Sequence, residues 1–201
     1  MSMILSLVAV SDANRERLLA DPALVWLLLD EPDAYRAERE GAKRLGFLGR
    51  LFRKKSPPAA ATIDDLNLAP GEGWMRDLDK AWHGLHFLLT GTAWEGEPPL
   101  DFLVRGGREL GTIDVGYGPA RVFSASETVA ITSALDALED NELAARFDPE
   151  AMLAAQIYPE IWSRDPQEDD TLAYLLSSLE TLREFLDHCE EQGLGMVVWL
   201  G

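Results

Sequence analysis

The chain has 201 residues and a mass of 22.3 kDa, of which 47% are hydrophobic and 26% charged. Its 18 Lys and Arg against 35 Asp and Glu give a formal charge of −17 and a pI near 4.4. So much apolar material excludes a disordered chain, the length suits one domain with its own core, and the acidity excludes broad electrostatic binding of nucleic acid or an anionic membrane by the domain body.

The single cysteine, Cys189, rules out an intrachain disulfide and any cysteine-based metal cluster, and fits a reducing compartment. The longest fully apolar run, Ala23 to Leu29, is far short of the ~20 residues a bilayer span needs. The apolar start, Met1 to Val10, has no basic residue ahead of it and meets Asp12 at once. It reads as a strand and not as a signal peptide, and the expected location is cytoplasmic.

Met3 to Val10 is aliphatic enough for a buried strand. Ser11 caps a helix over Asp12 to Ala20, and Asp21-Pro22 starts a second short helix reaching Leu29. The segment from about residue 36 to 61 differs in kind. Between Arg36 and Lys55 lie eight basic residues and two acidic ones, a net of +6 that leaves −23 for the remainder. With Ser56-Pro57-Pro58 and three alanines closing it, this stretch reads as a flexible or loosely helical insertion in a single 1–201 domain. Its interleaved Leu45, Phe47, Leu48, Leu51 and Phe52 fit an amphipathic helix for a membrane surface or a partner, and its basic residues also fit a nucleic-acid arm. The plainer alternative is packing against the acidic body.

Asp77 opens the next predicted helix, Leu78 to Leu89, which Gly91 stops. Leu100 to Val104 and Glu109 to Val115 are ambiguous segments around Gly106-Gly107. A turn at Gly116-Tyr117-Gly118-Pro119 leads into a short strand, Ala120 to Phe123. Ser124 and Glu127 form a capping box for a helix from Ala125 to about Leu138. Asp148-Pro149 starts another helix that ends by Tyr158-Pro159. The clearest helix carries Leu172, Leu175, Leu176, Leu179, Leu182, Leu186 and Cys189 at helical spacing and stops at Gly193. Met196 to Leu200 is a last apolar strand. The predicted fold class is α+β: mostly helical, with a small mixed sheet of short strands including both chain ends.

None of the familiar phosphate-loop, dinucleotide, zinc-protease or serine-hydrolase motifs is present. Two constellations remain. Asp79, His83 and His86 are spaced four and three apart, which puts potential metal ligands on adjacent parts of one helix face. The plainer reading leaves the histidines at the core margin, with no metal and no cofactor. Around Tyr117, two glycines allow close backbone approach, Tyr117 offers a ring and a hydroxyl, and Arg121 presents a planar fork suited to carboxylate or phosphate. The plainer reading is a tight turn with Arg121 paired to one of many acids. The acidic runs Glu139-Asp140 and Glu168-Asp169-Asp170 read as solvated faces. Trp82, Trp94, Trp162 and Trp199 read as core or cleft-lining residues.

The block Asp79-Lys80-Ala81-Trp82-His83-Gly84-Leu85-His86-Phe87-Leu88-Leu89-Thr90-Gly91 resembles the YfbM-like family of uncharacterised bacterial proteins. The Met3-Ile4 strand, Tyr117-Gly118-Pro119-Ala120-Arg121 and Ile157-Tyr158-Pro159 resemble its other blocks, in the expected order, over nearly the whole chain outside Arg36 to Ala61. The resemblance implies an α+β domain in the bacterial cytosol and a family without an established activity, cofactor or catalytic residue. It also implies that His86 belongs to the family pattern and His83 does not. Lys80, Trp82, His86, Tyr117 and Arg121 are thus the candidate members of one cleft. Two functions are expected in order: a non-catalytic binding or interaction protein, of regulatory or immunity type, taking a protein partner through its acidic surface; or an enzyme or small-ligand binder holding a small anionic ligand, with His86 as the acid/base.

Overall fold

The computed structural model describes residues 2–45 and 62–201. Five strands form one sheet in the order β2-β1-β5-β4-β3, where β1 is Leu5–Val10, β2 Met75–Asp77, β3 Arg108–Asp114, β4 Pro119–Phe123 and β5 Gly195–Leu200. Both N- and C-terminal strands lie inside the sheet, paired to each other from Leu5↔Leu200 to Val10↔Gly195. Every pairing is antiparallel, where a mixed sheet is expected from sequence. The reason is where the long connection returns. Phe123 ends β4 opposite Met196 at the start of β5, so the chain leaves and re-enters the sheet at the same end. The approach there is close: a Cβ on Gly195 would lie 2.2 Å from the Phe123 carbonyl oxygen.

Side chains alternate across the sheet and build a core on each face. Leu5, Leu7, Ala9, Phe123, Met196 and Val198 join the larger core with α4 (Trp82–Thr90), α5 (Ala125–Asp136), α6 (Asp140–Ala145), α7 (Pro149–Ala154) and α8 (Thr171–Gln192). Val8, Val10, Ala120, Val122 and Val197 join the smaller core with α1 (Asp12–Ala20) and α2 (Val25–Leu28). A sheet covered on both faces explains why β5, and β1 apart from Ser6, read as apolar runs and not as alternating ones.

Local signals account for most boundaries. The Ser11 hydroxyl accepts from Asn14 N, the Ser124–Glu127 capping box is formed, and the Asp148 carboxylate accepts from Glu150 N and Ala151 N. Gly91 and Gly193 close α4 and α8 with φ of +74° and +64°. Elsewhere the structure departs from the sequence reading. Pro22–Leu24 is a 3₁₀ turn ahead of α2, and the Asp21 carboxylate makes no cap because it pairs with Arg39. The start of the expected insertion is an ordinary helix, α3 (Pro32–Leu45), whose Tyr35 packs on the smaller core. The remainder of that insertion, residues 46–61, lies outside the described residues. Leu78 to Ala81 is a turn and not the first turn of α4, and β2 and α6 are additional elements.

One carboxylate holds the segment that leads back into the sheet. Glu72 accepts from Ser11 N, from Asn14 Nδ2 at 2.9 and 3.0 Å, and from Ala69 N at 2.5 Å. Burial opposes its ionisation, but the hydrogen bonds from Ser11, Ala69 and Asn14 outweigh that and keep Glu72 below the usual carboxylate range. Glu72→Ala should destabilise the protein by about 2 kcal/mol in urea unfolding; a loss below about 0.5 kcal/mol would show that the loop is held elsewhere.

Candidate functional site

The turn between β3 and β4 sits against the last residues of β5. Tyr117 N donates to the Leu200 carbonyl at 2.9 Å, and Asp114 Oδ1 accepts from Gly116 N and Gly118 N, both at 2.9 Å. Those two bonds hold Asp114 below the usual carboxylate range. Gly116 has φ of +151°, and a Cβ there would meet Gly201 Cα and the Leu200 carbonyl oxygen at 2.7 Å. Only glycine fits that approach. The turn therefore holds Tyr117 over the end of the sheet, where its side chain is 45% exposed.

α4 runs beneath. Residues Trp82 to Leu89 are all buried, so this helix is a central element and not a surface one. Trp82 Nε1 donates to the Met3 carbonyl at 3.2 Å, which fixes the indole under the N-terminal strand. Trp94, in the loop after α4, lies 6.0 Å from the Trp82 ring and 4.3 Å from the His83 ring, and is 54% exposed.

These residues meet at one cleft of about 190 Å³, lined by Trp82, Trp94, Tyr117, Trp199 and Arg121 with an aliphatic remainder that includes Leu5, Leu103 and Val198. Of the five residues expected to share a cleft, Trp82, Tyr117 and Arg121 do so. Lys80 and His86 do not line it. Lys80 lies in the turn before α4, where its backbone N–H donates to the Tyr174 hydroxyl at 3.1 Å. Trp94 and Trp199, grouped in the sequence only as general core or cleft aromatics, are the members that reasoning left unassigned. Nothing in their local pattern sets them apart.

Arg121 is largely committed to the protein itself. Its Nη1 donates to the carbonyls of Phe102 at 3.0 Å, Gly106 at 3.2 Å and Arg105, and its Nη2 to that of Leu103 at 2.8 Å. The guanidinium thus closes the 99–106 turn as a helix cap would. Burial lowers its pKa to about 10, against the opposing pull of Asp101 and Glu109, so it stays charged at neutral pH.

His86 is fully buried, with its Nδ1 unpartnered among the described residues and Nε2 3.4 Å from the Thr90 hydroxyl. Burial brings its pKa down to about 4 against the opposing pull of the Glu95 backbone, with smaller contributions from His83, Arg105 and Arg121. It is a neutral ring at physiological pH, fully enclosed and outside the cleft lining. The ring of His83 is also spent: Nε2 donates to the Ala93 carbonyl at 2.7 Å, and Nδ1 accepts from Tyr158 N at 3.0 Å. These partners fix the Nε2–H tautomer and leave no lone pair for a metal. Asp79, the third expected ligand, accepts from the Tyr174 hydroxyl at 2.9 Å. Among the described residues, no group of three His, Cys, Asp or Glu side chains converges as metal ligands would. The Cys189 thiol is buried and pushed up to about 12, which excludes it as a nucleophile at neutral pH.

This is an antiparallel α+β domain with an aromatic cleft at one end of its sheet. Residues 1–199 match the family described as Domain of unknown function (DUF1877), and the chain belongs to that family. Among solved structures it is similar to the crystal structure of a protein of unknown function, YfbM, from Escherichia coli, with 20% identity, a TM-score of 0.61, and coverage of 98% of this chain and 99% of that one. At that identity the likeness shows the fold. No curated protein matches. Among the described residues, no helix is long and apolar enough to cross a membrane.

Proposed function

We propose that the protein is a non-catalytic binder of a small planar ligand, held in the cleft between Trp82, Trp94, Tyr117 and Trp199. One observation carries this reading: four aromatic side chains from separate parts of the chain converge with Arg121 on one concave site, and two of them, Trp94 and Tyr117, are about half exposed. Aromatic walls with a few polar groups are the usual make-up of a ligand site. A volume of about 190 Å³ suits a ligand of one or two rings. An anionic substituent on it would draw on the Arg121 N–H groups that do not hold carbonyls. An acid/base role has no support, because His86 is sealed off and neutral.

Indole-3-acetate is a suitable first probe, since it offers both a planar ring and a carboxylate. Titration should change the tryptophan fluorescence saturably, and Trp94→Ala should weaken binding by about tenfold, the scale of losing one stacked ring. Equal titration curves for wild type, Trp94→Ala and Tyr117→Ala would end the proposal. Because Trp94 is exposed, its removal should leave the melting temperature within about 2 °C of wild type.

A partner protein is a second proposal. Asp136, Asp187 and Glu191 crowd on α5 and α8 enough that burial and then these neighbours raise the Asp187 pKa against the opposing pull of Arg183. Such a face suits a basic partner, and the cheap test is copurification at low against high salt. The absence of a stoichiometric partner at low salt would remove this reading.

A further inference from the structure

On the other side of the 99–107 turn from the aromatic cleft lies a pocket of about 140 Å³. Its walls include Pro99, Phe102, Phe123 and Ile131, and Asp101 and Glu127 line it as well. Asp101 is the notable member. The residue as a whole is 95% buried, yet its carboxylate oxygens still reach solvent and, among the described residues, form no ion pair. Arg121 feels its charge, but that guanidinium is held by the carbonyls of residues 102, 103, 105 and 106 and forms no salt bridge with it. Glu127, by contrast, is exposed, and one of its oxygens is occupied by Ser124 N and Oγ at 2.7 Å.

The Asp101 carboxylate oxygens are not sealed from solvent, so with no protein donor on them they are open to a cation that enters through the pocket Asp101 lines. We propose that this pocket binds a primary ammonium on an unbranched apolar stem. The ammonium sits at Asp101, the stem lies against Phe102, Phe123 and Ile131, and Glu127 adds a second negative charge at the rim. The phenylalanine rings serve the stem, since the face of Phe123 already has the Arg121 guanidinium 5.7 Å from its centroid. The volume suits one long side chain or one short amine and is well below the ~300 Å³ at which drug-sized sites begin. The ligand chemistry is that of a free alkylamine or of a lysine side chain presented by another protein. This site is independent of the aromatic cleft, and substitutions at Trp94 should leave it unaffected.

The test compares n-hexylammonium with 1-hexanol, which has the same stem and no charge, by NMR titration of the full chain. We expect hexylammonium to bind one to one and at least ~10-fold more tightly than hexanol, with shifts centred on residues 98–107 and α5. Asp101→Asn keeps the size of the side chain and should abolish the preference. Glu127→Gln keeps the capping box and should weaken the preference without abolishing it, which keeps the test decisive if Asp101→Asn does not fold. Equal binding of the amine and the alcohol, or an unchanged preference in Asp101→Asn, would overturn the proposal. So would failure of both hexylammonium and N-acetyl-lysine-N′-methylamide to bind. Tighter binding of the lysine derivative than of hexylammonium supports a protein side chain as the source, and the reverse order supports a free amine.

Discussion

Arg121→Met should lower the stability of the domain by about 3 kcal/mol, because it strands backbone carbonyls that have no other donor. Phe102 and Leu103 are buried, so their carbonyls are beyond the reach of water when the guanidinium is removed. The Arg105 and Gly106 carbonyls belong to exposed residues and can rehydrate, so they add little. For a domain of this size, that loss corresponds to a melting temperature about 6–12 °C lower. Arg121→Lys should recover only a small part, since an ammonium group cannot reach the four carbonyls in one plane as the fork does. Differential scanning calorimetry on the three proteins decides the matter. A shift of less than about 2 °C for Arg121→Met would mean that the turn holds itself.

Mild acid should weaken the fold through His86. In the unfolded chain this histidine takes up a proton below about pH 6.5, whereas in the folded protein it resists until about pH 4. Between those values the unfolded state binds more protons, so stability falls as the pH falls and the loss is complete below the folded value. The full difference is on the order of 3 kcal/mol, at 1.36 kcal/mol per pH unit. His83 acts in the same direction, since burial lowers its pKa too. Glu72 acts later, because a carboxylate held below its ordinary range loses its contribution only as the pH drops below about 4.5. Urea unfolding from pH 7 to pH 4.5 therefore reads the histidines apart from Glu72, with the raised Asp187 carboxyl acting in the opposite sense. His86→Gln should flatten that profile, and a mutant as pH-dependent as wild type would place the effect elsewhere.

Both residues show what the sequence conveys and where it stops. The donor fork of Arg121 is legible as chemistry, but its targets are not. The carbonyls it caps belong to a turn some 15 to 19 residues away, and no local pattern marks that turn as short of donors. His86 reads as a proton shuttle because its intrinsic pKa suits one, and burial on a helix whose residues 82–89 are all enclosed removes that role. Lys80 fails for a different reason. Only the family block it shares with Trp82 and His86 places it in the cleft, whereas Asp79 has φ of +44° and the helix begins only at Trp82, which leaves Lys80 in the turn ahead of it. Capping and stopping residues such as Ser11, Ser124 and Gly193 are read correctly because their physics is local. β2 and α6 carry no comparable signal. Met75–Asp77 forms a strand because β1 offers it an edge, and tertiary pairing of that sort is invisible in three residues.

The position of β5 has a consequence for the route by which the chain folds. This strand lies between β1 and β4 and contributes to both cores, yet every other element described precedes it in the chain. Its pairing with β1 joins residues about 190 positions apart, a loop closure that long-range contacts repay only at the end. Any partly folded form that lacks β5 leaves β1 and β4 with open edges and two unfinished apolar faces. Such a form is suited to pairing with another molecule in place of its own last strand. Docking of residues 195–200 is thus the step that closes both edges and completes both cores.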